Sequence, residues 1–175
     1  MPSSFNASRP AIAAAICACL AALLLLVGLP SAQAAEASPA NMLKGIYREA
    51  VKGTTSGWLE PERRSTYLSR SLLELWAKSD AKKTPQDGAE PFDFDLTTDT
   101  NALELAGFEI KVERERPNAA VLAVKLNYRK PYYRPGPPAV VTYDFIREDG
   151  RWRIDNFRTR TWSVRDMLSD WLKAS

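Results

Sequence analysis

Histidine is absent from all 175 residues. That excludes a Ser-His-Asp triad, a Cys-His dyad and any His-ligated metal site. It also removes the usual general base and the usual pH switch. Cysteine occurs twice, as Cys17 and Cys19. Glycine is sparse at eight scattered residues, and nothing resembles a phosphate loop or a dinucleotide fingerprint. Neither sign of charge dominates: 24 Lys plus Arg face 21 Asp plus Glu, for a net charge of +3. Such a balance gives no reason to expect nucleic acid as a partner. There is no internal repeat.

The one long apolar run lies at the start. Ala11 to Leu29 carries no charge, Pro30 breaks it, and Ala32-Gln33-Ala34 follows. A small-x-small triplet placed there is what a signal peptidase reads, so residues 1–34 are expected to be a secretory signal peptide cleaved between Ala34 and Ala35. An uncleaved anchor and a lipid on Cys17 or Cys19 are the competing readings. The Ala-x-Ala site argues against the first. The position of both cysteines ahead of the most apolar stretch argues against the second. Cleavage takes away both cysteines and one charge, Arg9, leaving 141 residues with 23 basic and 21 acidic side chains. No disulfide can then form within the chain, and burial alone must hold a single domain.

Residues 35–40 read as a disordered lead-in, and residues 41–175 as one domain. Asn41 is a good cap for a first helix, with Leu43, Ile46, Tyr47, Ala50 and Val51 at helical spacing. Pro61 suits the start of a second helix running to about Ser79–Ala81, striped by Tyr67, Leu68, Ser71, Leu72, Leu75 and Trp76. Residues 82–101 read as a long acidic loop with a short strand over Phe92 to Leu96. From Ala106 the period changes to two. Four strands follow, around Phe108 to Val112, Leu122 to Tyr128, Val141 to Phe145 and Trp152 to Phe157. In the last, Trp152, Ile154 and Asn156 share one face, and Arg153, Asp155 and Phe157 the other. Asp149-Gly150 is a hairpin turn signal. Ser163 with Asp166 three residues on resembles a capping box for a terminal helix. Helices followed by a meander predict an α+β fold: helices packed on a curved four-stranded antiparallel sheet.

That order, together with the hairpin Phe145-Ile146-Arg147-Glu148-Asp149-Gly150-Arg151-Trp152-Arg153-Ile154-Asp155, resembles the nuclear-transport-factor-2-like (cystatin-like) superfamily. More narrowly, the chain resembles the bacterial exported family known as domain of unknown function 3828, through Tyr67-Leu68-Ser69-x-x-Leu72, Asp93-Phe94-Asp95 and the final strand. The resemblance implies a cone-shaped sheet with a pocket between sheet and helices. It implies no activity, since that fold hosts isomerases, dehydratases, ligand carriers and interaction modules. A dehydratase-type His-Asp pair is impossible here.

Tyr47, Trp76, Tyr143, Trp152 and Asp155 are the candidates to line such a pocket. Asp155 is the one candidate general acid or base, and the competing reading makes the aromatics core and has Asp155 act as a cap or pair with an arginine. Arg129, Tyr132, Tyr133 and Arg134 interleave cations and aromatics in a proline-stiffened loop, a composition suited to a sugar, an anionic glycan or a protein. Asp93, Asp95 and Asp99 have oxygen ligands for Ca²⁺ but not the EF-hand spacing. No metal and no cofactor is expected. Residues 111–175 hold 14 basic and 8 acidic side chains against 9 and 13 in residues 35–110. This asymmetry either steers an anionic envelope surface or draws the two parts together within the fold. Arg147, Arg151, Arg153, Arg158 and Arg160 are its densest group.

The functional expectation is an exported, periplasmic or secreted, non-catalytic module that binds a small ligand or a periplasmic protein. The alternatives are a small lyase or isomerase using Asp155 with a pocket tyrosine, and a self-associating structural subunit that pairs as a homodimer.

Overall fold

Helix α1 (Pro39–Val51) begins where its local chemistry allows. Pro39 occupies the first turn, and the Ser38 hydroxyl accepts from the Asn41 amide at 3.2 Å. This corrects the expected start: Ser38, not Asn41, is the cap, and residues 38–40 belong to the fold. The helix ends at Gly53, whose φ of +84° favours glycine. The computed structural model describes residues 38–53, 57–82, 91–101, 104–129 and 138–174. The expected signal peptide and the rest of the lead-in lie outside the described residues, as do Tyr132, Tyr133 and Arg134.

The predicted second helix is two helices, α2 (Pro61–Tyr67) and α3 (Arg70–Lys82). Leu68 is extended between them, with φ −90° and ψ 152°, and forms a parallel bridge to Ile154. The Ser69 amide donates to the Ile154 carbonyl at 2.9 Å, and the Ser69 hydroxyl accepts from the Leu72 amide at 3.1 Å. A free sheet edge takes the backbone groups that a continuous helix would have kept for itself. Apolar spacing alone does not register that competition.

The strands are β1 (Leu105–Arg116), β2 (Ala119–Tyr128), β3 (Val140–Glu148) and β4 (Arg151–Arg158), antiparallel in the order β1-β2-β3-β4. Asp149 and Gly150 join β3 to β4 with φ of +50° and +76°, the positive pair a tight hairpin turn needs. Helix α4 (Val164–Lys173) starts at Ser163, whose hydroxyl accepts from the Asp166 amide. The fold is therefore α+β. Phe92 to Leu96 form no strand: Phe92 lies against Trp76 and Phe94 against Trp162, so this segment is held by its rings.

One face of the sheet carries Leu122, Val124, Leu126, Tyr143, Phe145, Ile154 and Phe157, all buried with Leu43, Tyr47, Leu72, Trp76 and Leu168 from the helices. Helix α1 crosses β1 and β2, while α2, α3 and α4 gather on β4. The expected alternation along β4 fails at Asp155. Asn156 pairs with Asp144 and Ile154 with Phe145, so Asp155 is the extra residue of a bulge. The bulge places Ile154 and Phe157 on the same buried face, and the segment cannot keep a strict period of two.

Candidate functional site

Tyr47 and Tyr143 meet at the centre of the core. Both are 0% exposed, and their hydroxyl oxygens lie 2.9 Å apart. Burial pushes both phenols well above the ordinary tyrosine value. They hold their protons at neutral pH and are not poised to take one from a substrate. Trp58, from a turn over Gly57–Leu59, tilts its indole against Phe157 at 5.3 Å and donates to the Thr97 hydroxyl at 3.0 Å. Phe157 lies 5.5 Å from Tyr143, nearly parallel. Trp76 joins them, 4% exposed, with the Arg64 guanidinium 4.6 Å over its ring. Three of the five predicted pocket residues are thus packed on one another. Trp152 sits at the margin of the core, half-buried, under the Arg147 guanidinium at 5.7 Å.

Asp155 does not join the tyrosines. The bulge turns it toward the α2–α3 junction, where its Oδ1 accepts from Ser69 at 2.7 Å, Ser71 at 3.1 Å and Arg165 at 2.5 Å. Arg165 also donates to the Asp155 carbonyl at 2.6 Å and to Ser71 at 2.6 Å. These bonds tie β4, the α2–α3 junction and α4 together. An oxygen already shared by three donors is a fastening, and the arginine pairing is the competing reading of Asp155 given above.

A surface cleft of about 380 Å³ opens beside this knot, lined by Ser65, Leu68, Arg70, Leu73, Glu148, Asp149, Arg151 and Arg153. Glu148 accepts from the Arg70 amide at 3.1 Å, so a carboxylate rests on the N-terminus of α3. The Arg70 side chain, 69% exposed, spans to Glu148 at 3.8 Å and Asp149 at 3.6 Å. The Arg153 guanidinium donates to the Thr66 carbonyl. Arg151 has no ion pair among the described residues. Arg151 and Arg153 stand out in the sequence as part of a basic run. Arg70 does not, because only the interruption at Leu68 brings the start of α3 beside the β3–β4 turn.

Arg129 lines a second cleft of about 320 Å³ with Lys52, Thr98, Glu104 and Leu105. It approaches Glu104 at 3.6 Å. The acidic loop is used internally: Asp95 accepts from the Thr97 and Thr98 amides at 2.7 and 3.2 Å, and Asp99 accepts from the Trp162 indole at 2.7 Å. Among the described residues no group of three acidic side chains gathers as a metal site would require. No described helix is long and apolar enough to cross a membrane. Comparison with known protein families, with curated proteins and with solved structures returns no match to this chain.

Proposed function

We propose that this chain is an exported, non-catalytic binding module that meets its ligand or partner at the surface, in the cleft between the α2–α3 junction and the β3–β4 turn. One observation carries the reading. The space between sheet and helices, where the nuclear-transport-factor-2-like resemblance implies a pocket, is filled by Tyr47, Trp58, Trp76, Tyr143 and Phe157 in mutual contact. Recognition then passes to groups that remain accessible, and Arg70 and Arg151 are accessible. Export rests on the Ala32-Gln33-Ala34 triplet after the apolar run. The lyase or isomerase alternative has less support, because Asp155 is engaged by Ser69, Ser71 and Arg165.

Native mass spectrometry on protein expressed with its own leader and purified from the periplasm tests this. The expected species begins at Ala35, and any dissociable ligand it retains is lost on Arg151→Ala. A species still carrying residues 1–34 removes the cleavage between Ala34 and Ala35, and absence of the protein from the periplasm removes the export reading. Ligand retained by the Arg151→Ala variant removes the cleft. The same spectrum gives the assembly state and so addresses self-association.

A further inference from the structure

We infer that the arginine-lined cleft takes a phosphomonoester, with the ester's organic part lying on Leu73. This deepens the surface-binding reading above and rests on it. Three arginines from two separate stretches of chain line this one opening: Arg70 at the start of α3, and Arg151 and Arg153 on β4. Each guanidinium is a planar fork of donors with no acceptor. A carboxylate offers two oxygens and a single negative charge. A phosphomonoester offers three terminal oxygens and close to two negative charges at pH 7, enough to engage several forks together.

The cleft's own acids set the terms of binding. Glu148 is committed to the α3 N-terminus through the Arg70 amide. Asp149 is not: its side chain is 80% exposed and approaches only the Arg70 guanidinium, at 3.6 Å. An incoming phosphate therefore competes with Asp149 and Glu148 for Arg70 and with the Thr66 carbonyl for Arg153, and Arg151 needs no release. The volume, about 380 Å³, falls within the range of small-molecule sites, so an organic group has room beside the phosphate. Leu73, only partly buried, gives that group an apolar wall.

Such an ester reaches the protein either as a soluble metabolite-sized compound or as a lipid headgroup, and one titration series separates the two. The 141-residue protein is titrated with glycerol 3-phosphate, with phosphatidylcholine vesicles carrying phosphatidic acid, and with citrate as a carboxylate control. Saturable binding of glycerol 3-phosphate or of the phosphatidate vesicles is expected. It should weaken at least about tenfold on Arg151→Ala, the scale of losing a charge-assisted hydrogen bond. It should tighten on Asp149→Asn, which removes the competing carboxylate and keeps a side chain that tolerates the φ of +50°. Vesicle binding alone assigns the lipid source, and binding of both assigns the phosphate group itself. Near-ultraviolet circular dichroism confirms that each variant is folded, and the Asp149→Asn gain is a signal that misfolding cannot produce. Citrate binding without phosphate binding, if abolished by Arg151→Ala, overturns the ester and leaves the cleft. Phosphate binding indifferent to Arg151→Ala overturns the assignment to this cleft. No binding of any of the three overturns both.

Discussion

Tyr47 and Tyr143 put two hydroxyl groups where water does not reach, and each is satisfied by the other. Removing one oxygen leaves its partner buried with no equivalent bond. Tyr143→Phe or Tyr47→Phe alone should therefore cost about 1–3 kcal/mol. The double variant should cost less than the sum of the two, since it leaves no orphan. Urea unfolding of the three variants measures this, and strict additivity would remove the pair as a unit. The same residues fix the alkaline limit. Their folded-state pKa values are raised, so the unfolded chain releases these protons first as the pH climbs. The contribution is complete below the ordinary tyrosine value of about 10 and is lost as pH rises above it. Melting temperature should fall above that pH in the wild type, and the Tyr47→Phe/Tyr143→Phe variant should lose this dependence.

At the scale of elements, a bulge and a helix break act together. The bulge at Asp155 and the extended Leu68-Ser69 pair are joined by the Ser69–Ile154 backbone bond and by the Asp155 carboxylate. Asp155→Ala leaves Arg165 without its counter-ion and takes from both serine hydroxyls the carboxylate they donate to. It should destabilise by about 2–3 kcal/mol, the range for hydrogen bonds to charged groups. Chemical denaturation checks it, and a loss below measurement error would show that the knot is incidental. Helix α4 has a comparable fastening from outside itself. The Lys82 ammonium donates to the Trp171 carbonyl at 2.7 Å and also to the Ala174 carbonyl, capping the negative end of α4 from the end of α3. Lys82→Met should fray that end and cost about 1 kcal/mol, seen as faster amide exchange in the last turn of α4.

For the whole molecule, the charge asymmetry has an internal use. Glu109 pairs with Lys125 at 3.0 Å and Glu104 with Arg129 at 3.6 Å, joining the acidic stretch to the basic one. Lys125 and Asn127 hold the Glu109 carboxyl below its usual value. These pairs are exposed, however, and exposed pairs are weak and screened. Raising NaCl from 0.05 to 1 M should change unfolding free energy by less than about 1 kcal/mol. A larger loss would mean that surface charge, and not the aromatic core, holds the domain.

What is local can be read from residue spacing alone. Periodicity marked four strands, the Asp149-Gly150 turn and the Ser163 cap, because side-chain alternation, positive φ and a nearby hydroxyl act within a few residues. Absence of histidine excluded whole classes of chemistry before any fold was known. The stop of the helix at Leu68, the change of face of β4 at Asp155 and the choice of aromatics at the centre are set by the folded chain. Each of these depends on partners far along the chain: Leu68 on Ile154, Asp155 on Arg165, Tyr47 on Tyr143. A backbone group takes its hydrogen bond from whatever folding brings near, and no spacing within one segment records that choice. The same reason hid the cleft, whose arginines were visible singly and became neighbours only when β4 met the break between α2 and α3.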